Sequence, residues 1–233
     1  MQQQLCLNII PRLSYAPENF LLHSGVAEIV EQVMQLLESS QFRFIQIEGS
    51  ARSGKTHLGL YLANRLSSKG IFPQILESNE IVTWYPEART EIDRESVVIV
   101  DDAHSYMSTL ITEGSGSFVQ LYEHCRKVNA RLLFLCPQQN HCDSFDDHVR
   151  SRLATLHTFA IAPPEPSDLE GLIHLMARQR GIELSARKQS FLVRRVGRDI
   201  ESLEKYLNRL VLLSQVLDQR IQFSVLNDAL VED

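Results

Sequence analysis

Residues 49–56, with the sequence GSARSGKT, follow the spacing G-x-x-x-x-G-K-[ST]. Backbone N–H groups in such a loop can turn inward around a polyphosphate, because glycines allow a tight turn and a close approach. The spacing therefore predicts a binding loop for a nucleoside diphosphate or triphosphate. The residues expected to contact the nucleotide are Gly49, Ser53, Gly54, Lys55 and Thr56, with Lys55 on the β- and γ-phosphates and the Thr56 hydroxyl on Mg²⁺.

Two adjacent carboxylates, Asp101 and Asp102, close an apolar run at 96–102. Acids at the end of a buried parallel strand, downstream of a phosphate-binding loop, are typical of a Walker B motif. We expect Asp101 to act on Mg²⁺ through a water molecule and Asp102 to orient the attacking water. The alternative is that the two acids only terminate a strand.

The elements that must position these residues alternate between strand and helix patterns. Short apolar or alternating runs predict strands at 43–48, 72–76, 96–102, 130–136 and 156–161. Apolar residues at helical spacing predict helices at 56–66 and 117–128. Strands that alternate with helices predict an α/β core with a parallel sheet covered on both faces. A strand before the phosphate loop and a helix after it also disfavour a chance match.

A proline-rich connector at 162–168 separates this core from a segment with helical patterns alone. Ser167 and Glu170 have the spacing of a capping box, which predicts a helix that continues to Gly181. Further helices are predicted at 186–196, at 201–217 and near 223–230. The predicted fold class is thus an α/β phosphate-loop core followed by a small all-α unit.

The composition is that of an ordinary globular protein, since 44% of the 233 residues are hydrophobic and 22% are charged. A net charge of −6 argues against strong nonspecific binding of nucleic acid by the surface as a whole. Residues 168–233 carry ten basic and ten acidic side chains, so this part is not a basic nucleic-acid module. No run is long and apolar enough to span a membrane, and the N-terminus lacks the pattern of a secretory signal. We therefore expect a cytoplasmic protein without a membrane partner.

The four cysteines are expected to be free thiols, because cytoplasmic proteins seldom carry disulfides. Cys136 and Cys142 flank His141, which raises the alternative of a metal site. Their spacing matches none of the usual paired zinc-ligand patterns, so thiols are the preferred interpretation.

Five stretches in this order resemble the AAA+ ATPases, and more narrowly the DnaA-related group. That group contains the bacterial replication initiator DnaA and its shorter relatives, the regulatory inactivators of DnaA. The stretches are YAPENF (15–20), GSARSGKTHL (49–58), VIVDDAH (98–104), RSRLA (150–154) and ARQRGI (177–182). The resemblance implies an AAA+ core at 13–162 and an α-helical lid at 163–233. It also implies ADP or ATP as the ligand with Mg²⁺, and a nucleotide contact for Phe20.

The N-terminal residues resemble a peptide that the shorter relatives use to bind the sliding clamp of DNA polymerase III (its β subunit). This implies a clamp-binding peptide at 1–12, in which Gln4, Leu5, Leu7 and Ile9 contact the clamp, as an extended peptide docks in a groove. Cys6 and Asn8 depart from the family peptide. Alternatives are a strand added to the core sheet and a peptide for self-association. DnaA carries a DNA-binding domain after the lid, and because this chain ends at Asp233 we expect that domain to be absent.

In the RSRLA stretch, the resemblance assigns Arg152 as an arginine finger that points at the γ-phosphate held by a neighbouring subunit. Such a finger contributes about 10³–10⁵ in rate. Arg150 is the competing candidate, and a plain surface arginine is the alternative for either.

Two departures from the family pattern predict weak hydrolysis of the chain's own nucleotide. Glu201 occupies the place of the lid's sensor arginine, and Arg198, one helical turn earlier, could substitute for it. The strand that ends at Pro137 lacks an obvious polar sensor, and Gln138 is the nearest candidate.

The function implied is negative regulation of replication initiation. The chain, on a clamp loaded on DNA, would meet ATP-bound DnaA and complete its active site with Arg152. The alternatives are an ATP-cycling loader or remodeller, and a scaffold that binds nucleotide without hydrolysis. The oligomeric state, the preference between ADP and ATP, and whether the peptide suffices for clamp binding stay open.

Overall fold

The structure is a computed structural model that describes residues 16–82, 92–114, 116–138, 145–216 and 221–230. The chain divides into two compact units at Ala162 and Pro163. The α/β unit comprises residues 26–162. The helical unit comprises the described residues from 163 onward together with 16–25.

A five-stranded parallel sheet forms the centre of the α/β unit. Its strands are β1 (Arg43–Gly49), β2 (Gln74–Glu77), β3 (Val97–Asp101), β4 (Arg131–Pro137) and β5 (His157–Ala160). Their order across the sheet is β2-β3-β4-β1-β5. The five predicted strands are confirmed, and β2 begins two residues later than predicted because Pro73 has no backbone N–H for the sheet.

The order of the strands decides which loops meet. β1 lies between β4 and β5, and β4 lies between β1 and β3. The carboxyl ends of β1, β3 and β4 therefore lie side by side at one edge of the sheet. The phosphate loop follows β1 and the paired acids close β3, so the topology brings the two sequence motifs to the same edge.

Of the helices of the α/β unit, the first precedes β1 in the chain and the others lie between the strands. They are α1 (Ser24–Leu37), which begins in the helical unit, α2 (Lys55–Ser68), α3 (Ser78–Val82), α4 (Ala103–Glu113), α5 (Gly116–Val128) and α6 (Asp147–Leu153). The predicted helices α2 and α5 are confirmed. Helices α1, α3, α4 and α6 lie outside the predicted set, although α1 buries Val26, Val30, Val33 and Leu37 at helical spacing.

Large apolar side chains fill the unit around β4. Phe44, Phe118 and Phe134 are buried and pack ring against ring, with centroids 5.1–6.4 Å apart. Arg131 is also buried, and its guanidinium donates to the carbonyl oxygens of Leu37, at 2.8 Å, and of Glu95. This one side chain thus ties the end of α1 and the loop before β3 to β4.

The helical unit contains α7 (Leu169–Gln179), α8 (Ala186–Val193), α9 (Ile200–Val216) and α10 (Phe223–Asp228) around an apolar core of its own. The predicted capping box is wrong. Helix α7 begins after Asp168, whose carboxylate accepts hydrogen bonds from the backbone and hydroxyl of Ser24, at 3.1 and 2.6 Å. Glu170 accepts a bond from the Ser190 hydroxyl. Asp168 is thus the residue before the helix, and its carboxylate accepts bonds from Ser24 and the Glu165 N–H instead of capping the first turn.

Among the helices described, none combines the length and apolar character needed to cross a lipid bilayer.

Candidate nucleotide-binding site

The phosphate loop connects the end of β1 to the start of α2. Gly54 has φ +90°, in the left-handed region where a side chain is disfavoured. A Cβ at Gly49 would lie 2.5 Å from the Ser53 hydroxyl oxygen and 3.3 Å from Cβ of Ile161, so a larger residue would displace the Ser53 hydroxyl. The geometry of the turn thus favours glycine at both positions.

Lys55 lies folded over this loop. Its ammonium donates to the carbonyl oxygens of Gly49, at 3.0 Å, and Ser50, at 2.7 Å. Burial lowers its pKa, and the negative charges of Asp101 and Asp102 oppose that shift. The structure therefore brings the predicted lysine into electrostatic reach of both predicted acids.

The loop fits an anion by two criteria. The Ser53 hydroxyl oxygen is buried and has no hydrogen-bond partner among the described residues. The first N–H groups of α2, at Lys55 and Thr56, have no acceptor within the helix. Phosphate oxygens satisfy donors of both kinds, so the loop and the helix terminus suit the phosphates of a nucleotide.

The two acids have different environments at the end of β3. The Asp101 carboxylate accepts a bond from the Asp102 N–H at 3.0 Å. Asp102 has φ +49°, a left-handed conformation, and its carboxylate accepts a bond from the Ser105 hydroxyl at 2.5 Å. The Ser78 hydroxyl also donates to the Asp102 carbonyl oxygen. Asp102 is thus bonded to the first turn of α4. This arrangement agrees with the alternative in which the two acids only terminate the strand.

Within the described part of the chain, no group of three or more His, Cys, Asp or Glu residues could hold a metal ion. Mg²⁺ at a phosphate loop is held by a hydroxyl, one or two carboxylates and the phosphates themselves. Thr56 and Asp101 are the side chains that would supply the protein's share.

Cys136, at the end of β4, is a member of this site that the motifs do not reveal. It pairs in register with Glu48 of β1, and the next residue pair joins Gly49 to Pro137. Burial, with the charges of Asp102 and Glu48, raises the pKa of the Cys136 thiol to about 12. A neutral thiol therefore lies near the end of the strand that lacks an obvious polar sensor.

Gln138, the predicted substitute for that sensor, is exposed, and its backbone N–H donates to the Gly49 carbonyl oxygen at 3.3 Å. Cys125 and Cys136 are free thiols, as expected. His141 and Cys142 of the alternative metal site lie outside the described residues.

Arg152 belongs to α6 and lies against α5. It donates to the Glu123 carboxylate at 2.7 Å and to the His148 carbonyl oxygen at 2.8 Å. Arg150, two residues earlier, pairs with Asp147 and exposes half of its side chain. The candidate finger is thus engaged within its own unit.

Three of the remaining predicted residues belong to the helical unit. In the helical unit, Phe20 donates its N–H to the Pro17 carbonyl oxygen at 3.1 Å, Arg198 is exposed before α9, and Glu201 pairs with Lys205 in the first turns of α9. The proposed clamp peptide at 1–12, with Gln4, Leu5, Leu7 and Ile9, lies outside the described residues.

Solved structures of known proteins share this fold. Domain III of DnaA from Thermotoga maritima superposes with a TM-score of 0.70 at 16% identity, over 94% of this chain and 97% of that one. The fold is that of an AAA+ domain. The T. maritima Holliday junction motor RuvB gives 0.57 at 14% identity, over 87% and 67% of the two chains. An AMPPCP-bound DnaA from Aquifex aeolicus gives 0.61 at 17%, over 86% and 65%. The predicted fold class is confirmed.

Sequence comparison also relates the chain to DnaA. The chain is 25% identical over 232 residues to DnaA of Thermomicrobium roseum, covering 93% of this chain and 48% of that protein. It is 24% identical over 219 residues to DnaA 2 of Protochlamydia amoebophila, covering 89% and 48%. The chain therefore spans about half the length of these relatives. No family model matches it.

Proposed function

We propose that this AAA+ domain binds ADP or ATP with Mg²⁺ at residues 49–56. The proposal is supported by the buried Ser53 hydroxyl without a partner among the described residues, and by the lysine folded over the loop. A fold neighbour, the A. aeolicus DnaA, carries AMPPCP, a nucleotide analogue. Phosphates would displace the Lys55 ammonium from the Gly49 and Ser50 carbonyl oxygens.

We further propose that the chain is a regulator of the type of Hda, the regulatory inactivator of DnaA. On a sliding clamp loaded on DNA, it would promote hydrolysis of the ATP bound to DnaA and thereby limit replication initiation. The observation that carries this proposal is the DnaA-type AAA+ fold over nearly the whole chain, with Arg152 in the helix before β5. The likeness of residues 4–9 to a clamp-binding peptide supports the clamp as the second partner.

One feature of the nucleotide site favours a regulator over an ATP-cycling loader. A neutral thiol, Cys136, lies beside the phosphate loop, where the strand lacks a polar sensor. The thiol opposes rapid hydrolysis of the chain's own nucleotide, and it does not affect an arginine that the chain supplies to a partner's active site.

The test is single-turnover hydrolysis of ATP bound to purified DnaA, with a clamp loaded on DNA. Full-length protein, a form without residues 1–12, Arg152→Ala and Arg150→Ala are added separately. We expect stimulation by the full-length protein and by Arg150→Ala, and its loss in the other two. If the form without residues 1–12 still stimulates hydrolysis, these residues are not the clamp-binding peptide. If stimulation is lost with Arg150→Ala alone, Arg150 is the arginine finger.

No stimulation with clamp and DNA present would contradict the regulator. Intrinsic multiple-turnover hydrolysis that single-stranded DNA accelerates would then favour the loader. Nucleotide binding without any hydrolysis would favour the scaffold.

A further inference from the structure

Three contacts hold the guanidinium of Arg152. One Nη group donates to Glu123 at 2.7 Å, the other donates to the His148 carbonyl oxygen at 2.8 Å, and the group lies 5.6 Å from the centroid of the Tyr122 ring. Only 19% of the side chain is exposed. An arginine that must reach a phosphate on another molecule needs both Nη groups for a bidentate contact. In this position one N–H of each Nη group is already donated within the chain.

Tyr122 is a fixed part of the core. It is buried, and its ring meets that of Phe42 at a centroid distance of 5.0 Å and an interplanar angle of 80°. The Tyr122 hydroxyl hydrogen-bonds the Thr155 hydroxyl at 2.9 Å, and Thr155 in turn donates to the Arg152 carbonyl oxygen at 2.8 Å. The aromatic surface under the guanidinium therefore cannot follow the arginine if it moves outward.

Glu123, unlike Tyr122, is exposed, and it has a second positively charged neighbour. Its side chain is 45% exposed, and Arg126, one turn later on α5, lies 3.9 Å from its second oxygen. Ion pairs exposed to this extent are weak, and a phosphate is a stronger acceptor for a guanidinium than a single carboxylate. When Arg152 moves away, Glu123 still has Arg126 as a positively charged neighbour. The release of Arg152 therefore does not leave the Glu123 carboxylate unpaired.

One further donor of Arg152 is not satisfied in this position. Its Nε is buried and has no hydrogen-bond partner among the described residues. An unsatisfied buried donor destabilises the arrangement that contains it. The closed position is thus held by Glu123, the His148 carbonyl oxygen and the Tyr122 ring, and it leaves one buried donor unpaired.

We propose that Glu123 is a positioning residue that holds Arg152 in a closed state and competes with a partner's phosphate for the same N–H donors. The effect of Glu123 on a partner's hydrolysis rests on the proposed function of Arg152, whereas the closed state itself does not. Removing the negative charge of Glu123 shifts Arg152 outward and makes the chain a stronger activator at low concentration.

The closed state is tested without any partner by reaction with phenylglyoxal, an arginine reagent, with modification at each arginine followed by mass spectrometry of the full-length protein. We expect Glu123→Gln to raise the rate at Arg152 several-fold. Arg150 is an internal reference, since its ion pair with Asp147 is unchanged. Glu31→Gln is the matched control, because it breaks an Arg–Glu pair of the same 2.7 Å length, to Arg65. An unchanged rate at Arg152 would overturn the proposal.

The competition is tested with DnaA-bound ATP, clamp and DNA, at a limiting concentration of this protein. We expect Glu123→Gln to stimulate hydrolysis more than the wild-type chain, and the double variant with Arg152→Ala to stimulate none. If wild type stimulates and Glu123→Gln stimulates equally or less, while its circular dichroism and melting temperature match wild type, Glu123 does not control the finger. If no form stimulates but Arg152 labelling still rises, the proposed function fails and the closed state stands.

Discussion

The ammonium of Lys55 donates a hydrogen bond to the carbonyl oxygen of Ser50 at 2.7 Å, within the loop that both residues help to form. The ammonium that is predicted to bind phosphate therefore donates to a carbonyl oxygen of its own loop. The proposed nucleotide would exchange this contact for one between the Lys55 ammonium and phosphate. The predicted lysine therefore already lies over the loop.

Lys55→Ala tests the nucleotide site by thermal unfolding. A ligand that binds only the folded state stabilises it by about 2.7 kcal/mol at roughly 100 times its Kd. We expect ADP or ATP with Mg²⁺ to raise the melting temperature of the wild-type chain and to leave that of Lys55→Ala unchanged. Lys69→Ala is the control, since Lys69 is an exposed lysine that pairs with Glu38. An equal nucleotide shift in wild type and Lys55→Ala would exclude this loop as the site.

Helix α2 carries a second close approach behind the loop. A Cβ at Gly59 would lie 2.6 Å from Cδ1 of Leu135, a buried side chain of β4. We expect Gly59→Ala to destabilise the protein by about 1–3 kcal/mol in urea unfolding, since overpacking displaces the strand beside the site. Gly171→Ala is the matched control in α7, where the nearest atom is 3.4 Å away. There alanine should be neutral or stabilising, by up to about 1 kcal/mol.

Arg131 provides a test of the buried contacts that hold α1 and the loop before β3. Arg131→Ala leaves the Leu37 and Glu95 carbonyl oxygens without their donor. We expect a loss of about 3 kcal/mol in the free energy of unfolding, measured by chemical denaturation. Arg94→Ala removes an arginine whose side chain is 80% exposed, and its effect should be small. Similar losses in the two variants would contradict the role assigned to Arg131.

His23 makes stability depend on pH in the helical unit. Burial lowers its pKa from 6.5, with the nearby Asp168 charge opposing the shift, and its Nδ1 accepts the Gly25 N–H at 3.1 Å. The folded state therefore favours neutral histidine. This contribution is complete above pH 6.5 and is lost as the pH falls below it, because the unfolded chain then binds the proton more readily.

We expect the urea concentration at the unfolding midpoint to decrease as the pH is lowered from 7.5 to 5. The decrease should be smaller in His23→Asn. Hydrogen bonds from Ser24 lower the pKa of Asp168 below 3.8, so its contribution is lost only at more acidic pH and does not confound this range. A midpoint with the same pH dependence in both proteins would assign the titration to another group.

The local part of the site could be read from the sequence. The turn at 49–56 needs glycines at two positions, and the strands of a covered parallel sheet need apolar runs. Each requirement produces a pattern that can be read within a few consecutive residues. Helix α1 shows the same kind of pattern at Val26, Val30 and Val33, so its apolar spacing was sufficient to predict it.

Contacts between distant segments had no such signal. Cys136 and Lys55 become neighbours because β4 lies beside β1, which no local pattern indicates. Asp168 likewise has its partner at Ser24, far away in the chain, and the local pattern at Ser167 and Glu170 did not indicate that contact.

By itself, the sequence determined that this protein has a phosphate loop, paired acids at a strand end and an α/β core followed by helices. These features follow from backbone geometry and hydrophobic periodicity, which act over a few residues. Only the tertiary structure decided that the loop and the acids share one sheet edge and that Arg152 is held by Glu123 on Tyr122. Strand order and side-chain partners depend on packing between segments far apart in the chain, and that packing is a property of the whole fold.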